Sequence, residues 1–300
     1  LIKQIIWPAI GIFIFIVSKC INTKNIFKYS FILYIISIVL LIYVLVFGKI
    51  INGAKAWITI KGLSFQPSEL TKLSLAIMLS DLAGKFKSTG IKSEFIFLLK
   101  VAILILIPSV LVFLEPDSGA IIFFLVITLA ILIFSDIHKF WFTIVFILIA
   151  LFIGGFILLY LYNKDLLINL IGTSFFYRVE RLITFKTMSS YQLENALVAM
   201  GSSSLLGTGL GKVSLYIPEA PTDFIFAFSI SNFGYLCGFI ILSCYFLMDL
   251  FLINKIINMK KNTLKYILIS FTSIFLFGQI INIGMNLGLL PIIGIPLPFL

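Results

Sequence analysis

The chain of 300 residues is 61% hydrophobic and only 11% charged, and phenylalanine alone supplies 32 positions. So few polar residues cannot coat a water-soluble domain, and the composition is typical of a protein that uses lipid as its solvent. The formal net charge of +10 therefore reports membrane topology rather than binding to nucleic acid, because lysine and arginine concentrate in cytoplasmic loops.

Apolar segments recur along the whole chain, and most are long enough for a spanning helix, which needs ~20 residues to cross a hydrocarbon core of ~30 Å. Eight are predicted, at 4–18, 31–48, 68–84, 95–114, 120–135, 140–162, 223–252 and 266–285. The predicted fold is all-α and polytopic. Residues 1–300 form one membrane domain, and residues 163–222 form a large outer loop within it.

The distribution of lysine orients these spans. With Leu1 outside the cell, the cytoplasmic loops hold Lys19, Lys24, Lys28, Lys85, Lys87, Lys92, Lys139, Lys255, Lys260, Lys261 and Lys265, whereas the short outer loops hold Lys3, Lys49, Lys55 and Lys61. The asymmetry follows the positive-inside rule in every cytoplasmic loop. The outer face then carries the segments 49–67, 115–119 and 163–222 and the glycine- and proline-rich end from Gly288.

Neither end has the features of a natural terminus, so the chain is expected to be a fragment of a longer protein. The three cysteines, Cys20, Cys237 and Cys244, lie in or at the ends of apolar segments. We predict neither a disulfide nor a cysteine metal site for them.

The first outer loop, GKIINGAKAWITIKGLSFQPSELTKL, carries aromatic and charged residues at the membrane boundary. Trp57 is suited to an interfacial anchor, and Pro67 to the first turn of a helix. Glu69 and Lys72 are three residues apart on one face of that helix, so the two charges enter the bilayer together. They form either a structural ion pair or part of a substrate site, because ionisable residues in a span usually face a cavity.

Two further outer segments carry charge. In LEPDSGA, Glu115 and Asp117 lie between two spans, and a Pro-Asp turn alone is typical of simple turn chemistry. The segment SFFYRVERLITF has the apolar spacing of an interfacial helix. Its Arg178 and Arg181 lie off the apolar face and are suited to lipid phosphates.

Glycine and proline mark the remaining outer segments. In YQLENALVAMGSSSLLGTGLGKVSLYIPEAPTDFIFAF, the glycines at 201, 207, 209 and 211 permit close backbone approach, and Asp223 lies at the mouth of the next span. The end, NIGMNLGLLPIIGIPLPFL, indicates broken or re-entrant backbone. Such backbone is tolerated at membrane depth only where it is buried in protein or lines a wet cavity.

In this order, GAKAWI, FQPSEL with TKL, EPDSGA, the run from Gln192 to Gly211, IPEAPTDFIFAF and GLLPIIGIPLPF resemble the SEDS family of bacterial cell-wall polymerases, the RodA, FtsW and SpoVE type. The resemblance covers nearly all 300 residues. It implies a ten-span fold, of which this fragment with about eight spans lacks the first and the last. The KQIIW opening and the IPLP ending are more similar to the RodA branch, the rod shape-determining proteins, than to FtsW.

The resemblance implies a peptidoglycan glycosyltransferase that polymerises lipid II and releases undecaprenyl diphosphate. Such a reaction needs a base for the attacking hydroxyl and stabilisation of the diphosphate. Asp223 matches the family's TDFIF motif and is the candidate base; the competing interpretation is that Asp223 caps the helix that follows. Lys72, Arg178 and Arg181 are candidates for the diphosphate, with Glu69 as a neutralising partner of Lys72.

Two other residues belong to the predicted substrate site. Asp117 is expected to organise the site or to hold a divalent cation, Mg or Mn, against the diphosphate. Trp57 packs on sugar or serves only as an anchor. For His138, the only histidine, no role is predicted.

Several positions depart from the family pattern. Ser231 and Asn232 stand where related proteins usually carry two glutamates, and Ala56 stands where an arginine is usual. These departures keep two rivals open: a lipid II flippase, and a non-catalytic scaffold for a transpeptidase. The resemblance also implies the cytoplasmic (inner) membrane of a bacterium, an extracytoplasmic active face, a class B penicillin-binding protein as partner, and other proteins of an elongation or division complex.

Overall fold

The computed structural model describes residues 2–20, 22–51, 54–60, 63–173, 176, 180, 191–209 and 215–299. Within these ranges the helices are α1 (Ile2–Cys20), α2 (Thr23–Lys28), α3 (Ser30–Phe47), α4 (Pro67–Lys85), α5 (Ile91–Leu114), α6 (Ser118–Phe134), α7 (Phe140–Tyr162), α8 (Lys164–Ile171), α9 (Tyr191–Gly201), α10 (Ile225–Asn258) and α11 (Thr263–Asn286). The strands are β1 (Lys49–Ile51), β2 (Ala54–Ile60) and β3 (Leu63–Phe65).

Each of the eight predicted apolar segments overlaps one long helix, and the all-α polytopic fold is confirmed. In the described part of the chain, five helices are long and apolar enough to cross a membrane: α3, α5, α7, α10 and α11. The apolar part of α6 is shorter, and α4 carries Glu69, Lys72, Asp81 and Lys85 within its length. Those charges make α4 a helix that needs polar partners inside the protein.

The first outer loop contains a small antiparallel sheet in the order β1-β2-β3, although only helices and loops are predicted from the sequence. Trp57 in β2 lies opposite Lys49 in β1, and Thr59 lies opposite Ser64 in β3. The AKAWITI stretch of β2 is rich in β-branched and aromatic residues, which favour strands. The sheet therefore gives Trp57 a fixed place in a strand instead of a flexible loop.

One compact unit comprises residues 1–87, 96–135 and 260–271, and α4 packs there against both α3 and α6. Leu75 and Leu79 of α4 are at most 1% exposed. Ser74 Oγ lies 2.7 Å from Ser37 Oγ of α3. Small hydroxyl residues permit such close helix approach and satisfy one another's polar atoms, which lipid cannot do.

A second compact unit comprises residues 88–95, 136–259 and 272–300. Its core is formed by buried residues of α9, of α10, of the segment before α10 and of the chain after α11. They are Ala196, Ala199, Met200, Ile217, Phe224, Phe226, Ala227, Ile230, Tyr245 and Leu297. The helix α10 breaks at Gly234, which has φ 83° and ψ 175°. The predicted span 223–252 therefore consists of a short segment, 225–233, and a long one that continues to Asn258.

A buried carboxylate ties the start of α7 to the start of α5 in this second unit. Glu94 is fully buried and accepts hydrogen bonds from the His138 backbone N–H at 3.1 Å and from Trp141 Nε1 at 2.9 Å. His138 Nδ1 lies 2.5 Å from the same carboxylate, and Ser88 Oγ also donates to it. His138, for which the sequence predicts no role, thus stabilises a buried charge.

Candidate functional site

The predicted site residues fall into two groups of contacts, one in each compact unit. In the first unit, Asp117 is the N-cap of α6 and accepts from the Ala120 backbone N–H at 3.3 Å. Its Oδ2 also accepts from Gln66 Nε2 at 2.6 Å and from Ser68 Oγ at 3.0 Å. The carboxylate therefore fastens the beginning of α4 to the beginning of α6.

The ion pair predicted from the spacing of Glu69 and Lys72 is present, with Lys72 Nζ 2.7 Å from Glu69 Oε1. The side chain of Lys72 is 10% exposed and that of Glu69 is 54% exposed, so the cation lies inside and the anion reaches outward. Lys72 Nζ also lies 4.3 Å from the ring centroid of Phe123. A substrate role for this pair stays a prediction.

Glu115, at the turn between α5 and α6, was predicted as turn chemistry and not as a site residue. It is fully buried, and neither carboxylate oxygen has a hydrogen-bond partner. Burial, and secondly the nearby charge of Asp117, raises the pKa of Glu115 to about 8. Glu115 is therefore mostly protonated at neutral pH, because a buried carboxylate without a partner is costly.

In the second unit, Asp223 is held by its backbone. Its carbonyl oxygen accepts from Asn282 Nδ2 at 3.0 Å and from Asn286 Nδ2 at 2.9 Å. Asn286 Oδ1 in turn accepts from the Ala227 backbone N–H at 3.0 Å. Asn282 and Asn286 are fully buried, and sequence reasoning missed them, although two amides four residues apart in an apolar helix are a recognisable signal.

The carboxylate of Asp223 is differently placed. Among the described residues no group donates a hydrogen bond to it, and a side chain added at Gly294 would come within 3.6 Å of its Oδ2. Burial, and secondly the charge of Glu219, raises the pKa of Asp223 to about 6. The competing interpretation of Asp223 as a helix cap is wrong, because Phe224 is the N-cap of α10 and no side chain caps that helix.

Ser231 and Asn232, where the family pattern has two glutamates, are each 1% exposed. The Asn232 side chain donates to the Phe228 carbonyl oxygen at 2.8 Å, while its Oδ1 has no partner. Both residues lie directly before the break at Gly234. A serine and an asparagine there need no charge compensation, which two buried glutamates would require.

Three other predictions have different outcomes. Trp57 is half-buried in β2, and its role on sugar stays a prediction. Arg178 and Arg181 lie outside the described residues. The divalent cation predicted at Asp117 stays a prediction: the carboxylate accepts three hydrogen bonds, and the described residues contain no group of three metal-ligating side chains.

Comparison with known proteins adds to this geometry. The family model for cell cycle proteins of the FtsW, RodA and SpoVE type matches residues 1–300. A probable peptidoglycan glycosyltransferase FtsW from Buchnera aphidicola subsp. Baizongia pistaciae is 34% identical over 99% of this chain and 77% of its own. One of the same name from Coxiella burnetii is 32% identical over 100% of this chain and 80% of its own.

Solved structures show the same fold. A chain from a peptidoglycan synthase complex, studied for the structural coordination of polymerization and crosslinking, matches with a TM-score of 0.75 and 23% identity, over 99% of this chain and 81% of that chain. The rod shape determining protein RodA of Thermus thermophilus matches with a TM-score of 0.64 and 24% identity, over 97% of this chain and 76% of that chain. The two sequence relatives carry the name FtsW, so the predicted preference for the RodA branch is unsupported and the resemblance leans toward FtsW.

Proposed function

The chain belongs to the family of FtsW, RodA and SpoVE cell cycle proteins, and on that premise we propose that it polymerises lipid II with Asp223 as the general base. It is a multi-pass bacterial membrane protein and a peptidoglycan glycosyltransferase, the activity for which its FtsW relatives are named. The substrate, the residues that act on it and the active face belong to the proposal.

The observation that carries the proposal is the contrast within Asp223 between a fixed backbone and an unpaired carboxylate. Two buried amides hold its carbonyl oxygen, so the residue has a defined position. Its carboxylate accepts no hydrogen bond from the described residues and has a pKa of about 6. At pH 7 most such groups are deprotonated, and each retains enough basicity to accept a proton.

The proposed reaction joins the sugar 4-hydroxyl of lipid II to the anomeric carbon of the growing strand. The oxygen–carbon bond forms as the bond from that carbon to the lipid diphosphate breaks. The hydroxyl proton passes to the Asp223 carboxylate, and undecaprenyl diphosphate leaves with its electron pair. Asp223 thus acts only as the proton acceptor, and the leaving group requires separate stabilisation.

Lys72 is the proposed cation for the diphosphate in the first unit. Its side chain is 10% exposed, and the half-exposed Glu69 is its ionic partner. A phosphate oxygen that replaced the Glu69 carboxylate would keep the cation paired, so binding would not leave a buried charge alone. Arg178 and Arg181 are proposed to meet the same group, and Trp57 the sugars. The extracytoplasmic face is supported by the lysine asymmetry.

We further propose a role in cell division, because the sequence relatives bear the FtsW name. A class B penicillin-binding protein is the proposed partner, and other division proteins are proposed to join it. The similarity in fold to a chain of a synthase complex that couples polymerization with crosslinking supports such an assembly. A polymerase needs a crosslinking partner because glycan strands alone do not form a wall.

The test is polymerisation of fluorescent lipid II by the full-length protein with its cognate transpeptidase partner. The Asp223→Asn variant keeps the size of the side chain and removes the base, and the rate should fall by roughly 100-fold or more. Asp165→Asn, at an exposed aspartate in the first turn of α8, is the matched control and should keep wild-type activity.

Equal glycan ladders from wild type and Asp223→Asn would reject the base assignment. No ladder from the wild type, with transfer of lipid II across vesicles, would favour the flippase. No ladder and no transfer, with normal recruitment of the transpeptidase, would favour the scaffold.

A further inference from the structure

The break in α10 leaves backbone groups without helical partners. A regular helix would pair the Ser231 and Asn232 carbonyls with N–H groups one turn later, and Gly234 interrupts that pattern. The break lies nine residues after Ile225, about 13 Å along the axis from the start of the helix. Water is scarce at that depth in a membrane, so the freed groups need protein partners.

The segment Ser204–Gly209, which follows α9, supplies those partners through its backbone. On one side of the break, the Thr208 N–H donates to the Ser231 carbonyl at 3.1 Å and the Gly209 N–H donates to the Asn232 carbonyl at 3.0 Å. On the other side, the Tyr235 N–H donates to the Ser204 carbonyl oxygen at 3.3 Å and the Leu236 N–H donates to the Leu205 carbonyl oxygen at 3.2 Å. The segment therefore caps both halves of α10.

Two glycines make this contact possible. A Cβ atom on Gly207 would lie 2.2 Å from the Asn232 carbonyl oxygen, and one on Gly234 would lie 2.1 Å from the Leu205 carbonyl oxygen. Both glycines also have positive φ angles, 79° and 83°. No other residue type fits either position without displacing one backbone from the other.

Side chains reinforce the same contact. Thr208 Oγ1 donates to the Ser231 carbonyl at 3.0 Å, so that one oxygen accepts two hydrogen bonds from a single residue. Tyr235 OH donates to the Met200 carbonyl oxygen at the end of α9, at 2.9 Å. The end of α9 and the break in α10 are thus held together at several points.

The first part of α10, residues 225–233, is a short helix between two attachments. Asn282 and Asn286 hold the Asp223 end, and the Ser204–Gly209 segment holds the other. A helix of nine residues is not stable by itself, so its orientation depends on what holds its ends. We propose that Ser204–Gly209 is a backbone brace that positions Asp223, with Gly207 and Gly234 as its positioning residues. This inference rests on the proposed role of Asp223 as base.

The first test needs no activity. In the full-length protein with Cys20, Cys237 and Cys244 replaced by serine, an Asp223→Cys variant is labelled with a membrane-impermeant maleimide. Adding Gly207→Ala should raise the labelling rate about fivefold, because loss of the brace frees the short helix. Gly201→Ala is the matched control, since a Cβ there has nothing within 4 Å, and it should leave the rate unchanged.

The second test measures lipid II polymerisation with Asp223 intact. Gly207→Ala should lower kcat roughly tenfold with little change in KM, because a misplaced base affects the chemical step more than substrate binding. If Gly207→Ala destabilises the fold, Thr208→Val removes only one hydrogen bond and should produce the same changes to a smaller degree, with Thr208→Ser restoring wild-type values.

An unchanged labelling rate in both Gly207→Ala and Thr208→Val would overturn the brace. Faster labelling with unchanged kcat would support the brace and would instead reject Asp223 as the base, because a displaced general base must lower kcat. A wild type that makes no polymer would reject the proposed function instead, and the labelling rates would then decide on the brace alone.

Discussion

Two aspartates in the two compact units have opposite environments. The Asp117 carboxylate accepts three hydrogen bonds and fastens α6 to α4, whereas the Asp223 carboxylate accepts none from the described residues while its carbonyl oxygen is fixed by two asparagines. A fully bonded carboxylate contributes to stability, and a fixed but unpaired one is available for chemistry. The hydrogen bonds around each acid thus distinguish two residues that the sequence motifs alone do not separate.

The largest effect on stability is expected at Asp117. Asp117→Ala removes the N-cap of α6 and leaves the Gln66 amide and the Ser68 hydroxyl without their acceptor, at a cost of roughly 2–4 kcal/mol. Thermal unfolding in detergent micelles measures the loss. Asp165→Ala, at an exposed acid, should change the unfolding temperature little, and equal effects of the two variants would contradict the structural role of Asp117.

Glu115 is a third acid of the outer loops, and it is buried without any hydrogen bond. Its folded pKa of about 8 lies above the value of about 4.3 in an unfolded chain, so its contribution to stability is complete below pH 4 and is lost as the pH rises through 8. Glu115→Gln cannot ionise, and at pH 9 it should be more stable than wild type by roughly 1–3 kcal/mol. Unfolding temperatures between pH 4 and 9 check this, and an identical pH profile in both proteins would contradict it.

Lys72 tests whether the first unit also binds substrate. Lys72→Met should raise KM for lipid II about tenfold while kcat and stability change little, because charge-assisted bonds to phosphate are worth about 1.5–3 kcal/mol and the existing partner, Glu69, is half-exposed. Lys164→Met is the control, since Lys164 is an exposed lysine that also lies over an aromatic ring, that of Tyr160. Lower stability with an unchanged KM would identify a purely structural ion pair.

The smallest effect is expected from Glu219, the second cause of the raised pKa of Asp223. Glu219→Gln removes a negative charge and lowers the pKa of Asp223 toward its ordinary value, so the acid limb of the kcat profile moves to lower pH. The shift is expected to be less than about one pH unit, because burial, the larger cause, remains. A limb that moves to higher pH would have the wrong sign for a base at Asp223.

The lengths of the apolar segments predicted the long helices well, because a spanning helix requires only a continuous apolar stretch of about 20 residues. The sheet at Ala54–Ile60 was missed because the segment was assigned to an outer loop and its two partner strands are only three residues long. The break at Gly234 was also missed. A glycine inside a span is common, and the break depends on a segment whose Thr208 is 23 residues away from its partner Ser231.

In the candidate site, too, local contacts were predictable from the sequence and long-range contacts were not. The pair of Glu69 and Lys72 followed from local spacing on a helix, and the structure contains it. The partners of Asp117 are 49 and 51 residues distant, and those of Asp223 are 59 and 63 residues distant. No local pattern encodes such distances, so the motifs located the acids and only the folded chain showed what each acid touches.

The Glu94 cluster has a consequence for biosynthesis. The residues that pair with this buried carboxylate from α7 and the turn before it lie 44 and 47 residues later in the chain. When α5 is first made, Glu94 has only Ser88 as a side-chain donor, and a carboxylate is costly to bury until its hydrogen bonds are complete. The hydrogen bonds of Glu94 are therefore complete only after Trp141 has been synthesised, so the packing around the start of α5 depends on the later arrival of α7.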